Sequence, residues 1–212
     1  KDYARQAILP HNVPFTLLGA GLLWFGWFGF NAGSALAANG IAALAFVNTM
    51  LAPAGTLVVW TVLDLLRNGK ATAVGAATAI VVGLVAVTPA AGFIGPMPAL
   101  VLGMVAAFPS YYALVYRART RLDDSLDVVA AHGLGGTVGA LLTGVFAAPS
   151  LGGSGIYDYV ANKVADNYDI MGQVMIQATG VGVTLVWSGT VAFVCYKIVD
   201  IVIGLRVPED EE

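Results

Sequence analysis

The sequence predicts an all-α membrane protein of six transmembrane helices, and three observations predict it. The first is composition: 58% of the 212 residues are apolar and only 11% are charged, against about 25% charged in an ordinary soluble domain. The second is the spacing of charge. No Asp, Glu, Lys or Arg occurs in residues 6–63, 71–116, 128–157 or 170–196. A helix needs about 20 apolar residues to cross roughly 30 Å of hydrocarbon, so the first two stretches hold two spans each and the others one. The third is the placement of Lys and Arg: Lys1 and Arg5 precede the first span, Arg67 and Lys70 lie after the second, Arg117, Arg119 and Arg121 after the fourth, and Arg206 after the sixth. The links between carry only Lys163. Every second link is basic, so both ends are expected on the cytoplasmic side.

The elements follow in order. The first span, about 14–36, opens on Asn12 as N-cap with Pro14 in the first turn. The second, about 41–66, lies between the turn pairs Asn39-Gly40 and Asn68-Gly69. The third, about 74–89, is separated from the fourth, about 99–116, by the Gly/Pro-rich link 89–98. Pro53 and Pro109 fall inside spans, where a membrane helix absorbs the lost hydrogen bond. The fifth span is about 128–146, a polar loop occupies 149–169, and the sixth span is about 170–203, followed by a cytoplasmic tail from about 204. The whole of 1–212 is one membrane domain. Its first residue is Lys1, and no cleavable leader follows, which reads as a piece of a longer chain.

Several function classes drop out. The net charge of −3 comes almost wholly from Glu209, Asp210, Glu211 and Glu212, so no basic stripe exists for nucleic acid. The single Cys195 supports neither a disulfide framework nor a thiolate metal site, and reads as a buried small hydrophobe. There is no nucleophile–base pair, no paired carboxylates and no metal-ligand cluster, so an enzyme is not expected, nor any metal or cofactor.

What remains is a short set of polar and small residues within the spans. Gly29 with Gly33, and Gly135 with Gly139, lie four apart and predict close helix packing. His132 is the only Asp, Glu, Lys, Arg or His between Asp127 and Asp158. An ionisable group inside a membrane is a functional candidate by default, since desolvating its charge is costly. Neutral imidazole donates at one nitrogen and accepts at the other, which suits a polar ligand or a proton relay. The competing reading is a structural histidine bonded to a carbonyl. Asp127 reads as a helix-start carboxylate rather than a transport group. Trp24, Phe25, Trp27, Phe28 and Phe30 point all round the first helix. Phe30 and Ser34, at i and i+4, share a face, and a ring with a hydroxyl beside it can hold a small cation.

With their surroundings these residues resemble the ammonium transporter (Amt/Rh) family, nearer its Amt branch. The matching strings are Pro10 to Pro14, Trp27 to Ser34, Ala42 to Thr49, Gly83 to Pro89, Asp127 to Gly136, Trp187-Ser-Gly and Gly204 to Pro208, in family order along nearly the whole chain. The resemblance implies a homotrimeric, lipid-embedded plasma-membrane protein of eleven spans built from two inverted halves, this chain being the second half. It implies Ser34 as the hydroxyl that recruits ammonium, Phe30 as one ring of a gate and His132 as the second histidine of an apolar pore. Asn31, Asp127 and Gly133 take structural roles near the site. The family's first pore histidine, outer Trp, second gate Phe and first-half Asp would precede Lys1, in a longer protein or a partner chain.

The implied activity is ammonium/ammonia transport, with methylammonium as an analogue. NH4+ is recruited and deprotonated at the outer face, and its proton either returns outside or travels separately. A cytoplasmic nitrogen-regulatory signalling protein is an implied partner. The alternative function is an ammonium-sensing membrane module of a signalling protein.

Overall fold

The computed structural model describes residues 10–117, 119–120, 124–158 and 160–207. Lys1, Arg5, Arg121, Pro208 and the acidic residues 209–212, which entered the reading of orientation, motifs and charge, lie outside the described residues.

Among the described residues there are six α-helices: α1 (Val13–Gly33), α2 (Gly40–Asn68), α3 (Ala73–Val87), α4 (Pro96–Arg117), α5 (Gly135–Phe146), entered through a π-helical turn at Val129–Leu134, and α6 (Ile170–Val202). Each coincides with one expected span. Five of the segments, the π turn and α5 counting as one, are long and apolar enough to cross a membrane. The sixth helix, α3, is apolar but shorter, with 15 residues, about 22 Å of helix, because Thr88-Pro89 leads directly into a run of turns. The expected polar loop contains a short antiparallel hairpin, Tyr157–Asp158 against Lys163–Val164. Two-residue strands are too short to leave an alternating pattern in sequence.

Local chemistry accounts for the boundaries. Asn12 Oδ1 accepts the Phe15 N–H at 3.0 Å, and Asn39 Oδ1 accepts that of Ala42 at 3.0 Å, so both asparagines cap helices. Gly69 closes α2 with φ 72°, a left-handed conformation that a Cβ would disfavour. α4 starts at Pro96, three residues ahead of expectation, since proline fits the first turn of a helix.

α2 lies at the centre, packed against α3 and α4; α1 covers α2 and α3, while α5 joins α3 and α4 to α6. The core is built from alanine with Val82, Leu84, Ile94 and Leu102 fully buried. Small residues let backbones meet. A Cβ on Gly103 would strike the Ala52 carbonyl, one on Gly55 would lie 2.6 Å from Leu100 O, and one on Gly139 would strike the Ala86 carbonyl. Of the glycine pairs predicted to pack, Gly139 therefore does so tightly and Gly135 makes an ordinary contact, 3.6 Å from Ser110 Oγ. Gly29 and Gly33 face open space, which corrects the expectation for α1. Cys195 is likewise exposed rather than buried, because no residue of α6 is buried among the described residues.

Gly103→Ala should destabilise the fold by about 1–3 kcal/mol, the usual cost of overpacking. Thermal unfolding in detergent should give a clearly lower midpoint than for wild type. Gly29→Ala, with no neighbour within 4 Å, should leave the midpoint unchanged or slightly raised. Equal midpoints for the two variants would contradict the backbone contact.

Pro53 also finds its use. It has no N–H, so in the helix the carbonyl of Thr49 is released from its i→i+4 bond. Trp24 Nε1 donates to that oxygen at 3.0 Å, tying α1 to α2.

Candidate functional site

Phe30 and Ser34 lie at the end of α1, with Ser34 as the C-terminal cap rather than within the helix. Ser34 Oγ donates to Phe30 O at 2.6 Å. Its only proton is thereby committed, and the hydroxyl oxygen presents lone pairs outward to a donor. Phe30 is 61% exposed and meets Trp27 edge-to-face with centroids 5.6 Å apart. Trp27 Nε1 donates to Thr88 Oγ1 at 2.8 Å, which fixes the indole and so the ring beside it. Phe30 and Trp27 line an open apolar groove of about 450 Å³ along α1 with Leu22, Leu23, Gly19 and Gly26. The remaining aromatics separate by role: Trp24 turns inward to Thr49, Phe28 stacks on Phe46 at 4.3 Å, and Phe25 points away from the helices.

Asn31, expected to be structural, is buried and donates from Nδ2 to Thr49 Oγ1 at 3.0 Å. Thr49 Oγ1 in turn donates to Ala45 O at 2.6 Å. This relay holds the Phe30 segment against α2.

His132 sits in the π-helical turn, a widened backbone often found at functional positions. Its side chain is exposed and makes no hydrogen bond among the described residues. It lines a groove of about 440 Å³ between α5 and α6, with Gly133 and Gly136 as its floor and Thr137, Gln177 and Thr184 along its walls. The absence of side chains at the two glycines leaves room beside the ring. Phe30 and His132 open onto different grooves, and the described residues do not join them.

Asp127 departs from expectation. The carboxylate that receives the first N–H groups of the helix is Asp124, with Oδ1 accepting from Val128 and Oδ2 from Val129, both at 2.9 Å. Asp127 instead adopts φ 55° and forms an ion pair with Arg117, linking the end of α4 to the turn that carries His132. Burial pushes the Asp127 carboxyl above the usual carboxylate range, against the opposing pull of the Arg117 guanidinium. Asp and Asn tolerate the left-handed region better than other side chains, which explains why a carboxylate can stand there. Two acidic residues so close in sequence gave no basis for choosing the cap.

Two further polar residues do not stand out in the sequence. Asn48, fully buried, donates from Nδ2 to Ala91 O at 2.8 Å and Ile94 O at 2.7 Å, fastening the α3–α4 link. Asp64, 5% exposed, accepts from Tyr111 Oη at 3.1 Å, Thr72 Oγ1 at 2.8 Å, Thr72 N at 3.2 Å and Asn68 Nδ2 at 3.3 Å. A carboxylate at the edge of an apolar span was the available signal for it. No cluster of His, Cys, Asp and Glu able to hold a metal occurs among the described residues.

Comparison with known proteins gives a consistent result. The Ammonium Transporter Family model matches residues 1–212. The "Ammonium transporter" of Aquifex aeolicus is 44% identical over 207 residues, covering 97% of this chain and 47% of the relative. "Ammonium transporter Amt1" of Archaeoglobus fulgidus is 40% identical, covering 99% of this chain and 51% of the relative. Among solved structures, Saccharomyces cerevisiae Mep2 superposes with a TM-score of 0.83 at 37% identity, covering 96% of this chain and 46% of Mep2. A structure titled "Sensor Amt Protein" gives a TM-score of 0.82 at 33% identity, with 95% and 47% covered. The chain spans about half the length of the curated relatives it matches.

Proposed function

The chain belongs to the ammonium transporter family, a family of multi-pass membrane proteins rather than enzymes, and on that premise we propose that it forms one half of a path for ammonium-derived nitrogen. The observation that carries the reading is His132: a lone imidazole in a membrane-spanning segment, without a hydrogen-bond partner among the described residues, on the wall of a glycine-floored groove.

An ammonium ion in an apolar pore faces an idealised desolvation cost of order 20 kcal/mol. Neutral ammonia escapes that cost. In this reading NH4+ donates to the outward lone pairs of Ser34 Oγ, the Phe30 ring adds cation–π attraction, and the ion is deprotonated at the outer face. Ammonia then passes Phe30 and meets the His132 imidazole, which replaces part of its hydration.

Family membership supports the wider proposal: residues 1–212 as the second half of an eleven-span inverted repeat, in a homotrimer in the lipid of the plasma membrane, both ends cytoplasmic, with a nitrogen-regulatory signalling protein as partner there. The curated relatives reported above are named as transporters, which favours transport over the sensing alternative.

The test is methylammonium uptake into liposomes bearing the intact protein. Ser34→Ala should raise the half-saturating concentration roughly 3- to 10-fold, the value of one hydrogen bond of about 0.5–1.5 kcal/mol, while the maximal rate stays near wild type. Unchanged saturation would remove Ser34 from the outer site.

A further inference from the structure

We propose that a cavity of about 270 Å³ between the end of α5, the start of α6 and the hairpin loop is a second ligand site, separate from Ser34, that takes a small alkylammonium cation. Its lining includes Phe93, Tyr157 and Tyr168 together with Thr143, Gln173 and Gln177.

The rings are fixed by groups outside the cavity. Tyr168 Oη donates to Gly144 O at 2.7 Å, and Tyr157 Oη donates to Asn162 Oδ1 at 2.6 Å. The Phe93 carbonyl accepts both Ser154 N at 2.9 Å and Ser154 Oγ at 3.2 Å, so the loop and the α3–α4 link are held together beside it. Thr143 Oγ1 spends its proton on Gly139 O at 2.8 Å and keeps lone pairs free. Gln173 and Gln177 are half-buried one turn apart on α6, and neither side chain has a hydrogen-bond partner among the described residues. Two amide oxygens are thus unspent.

Charge selects the ligand class. No Lys, Arg or His lines the cavity. In the loop, Lys163 pairs with Asp166 at 2.6 Å, and Asp158 and Asp169 leave residues 149–169 with a net negative charge. An anion would find no cation there, and a purely apolar ligand would strand the two amides. A cation with an alkyl body finds aromatic rings and amide oxygens in the lining and a loop of net negative charge beside it.

The test is calorimetric titration of the intact, detergent-purified protein with choline and with its neutral isostere 3,3-dimethyl-1-butanol. Choline should bind saturably, and the alcohol should bind at least about tenfold more weakly. Tyr157→Leu, on the exposed hairpin, and Phe93→Leu should each weaken choline about fivefold by replacing a ring with an aliphatic group. Gly29→Ala, with no neighbour within 4 Å, should leave choline affinity unchanged. Equal affinity for choline and the alcohol, no saturable choline binding, or unchanged choline affinity in Tyr157→Leu would each overturn the proposal. If Phe93→Leu fails to fold, Tyr157→Leu alone decides. The readout is binding, so its outcome is independent of whether methylammonium uptake is found.

Discussion

Replacing His132 with alanine should abolish selective methylammonium flux through the intact protein while leaving its oligomeric state unchanged. The imidazole has no structural partner to strand among the described residues, so its removal should cost little stability. Its loss from the groove wall removes a group able both to donate to and accept from a dehydrated amine. One such contact, worth about 1.5–3 kcal/mol in a water-poor site, corresponds to roughly 10- to 100-fold in rate. His132→Gln separates two roles, because an amide keeps donor and acceptor but does not titrate. Flux retained in glutamine and lost in alanine assigns hydrogen bonding. Flux lost in both, with oligomers intact by size-exclusion chromatography, assigns protonation. Wild-type flux in the alanine variant would end the role of His132.

The second large effect is expected at Asp64, and it concerns stability. Asp64→Leu would strand the Tyr111 hydroxyl, the Thr72 hydroxyl and N–H, and the Asn68 amide, all of which now donate to this one carboxylate. Buried donors without acceptors cost about 1–3 kcal/mol each, and some will be rescued by water from the adjoining cavity of about 250 Å³. A loss of at least about 3 kcal/mol is expected, read as a large fall in the unfolding midpoint and in membrane yield. Thr72→Ala removes a single side-chain contact and the cap of α3, so about 1 kcal/mol is expected. A leucine variant as stable as wild type would show that the carboxylate does not hold the ends of α2, α3 and α4 together.

The helices were legible because membrane spans are written in composition and charge spacing, and because Asn12, Asn39 and Gly69 cap as their chemistry requires. Lengths were harder. Apolar sequence continues past Val87, and only the turn geometry after Thr88-Pro89 shortens α3. Which glycines pack was also hidden, since Gly29 and Gly139 carry the same four-residue spacing but only one meets a backbone. Asn31, Phe30, Ser34 and His132 stand out in the sequence by motif and charge. Asn48 and Asp64 do not stand out, because all but one of their partner residues lie 8 to 47 positions away along the chain.

The backbone contacts of Gly55 and Gly103 with α4 and α2, and of Gly83 against Pro53, have a mechanical corollary. Three rods touching main chain to main chain have no cushion of side chains over which to slide, so α2, α3 and α4 form a keel. On the proposed reading, any rearrangement has to be borne by the flanks: α1, whose five glycines have no neighbour within 4 Å, and α6, which packs on α5 yet has no buried residue among the described residues. Spin labels on the keel should keep constant separations while those on the flanks shift.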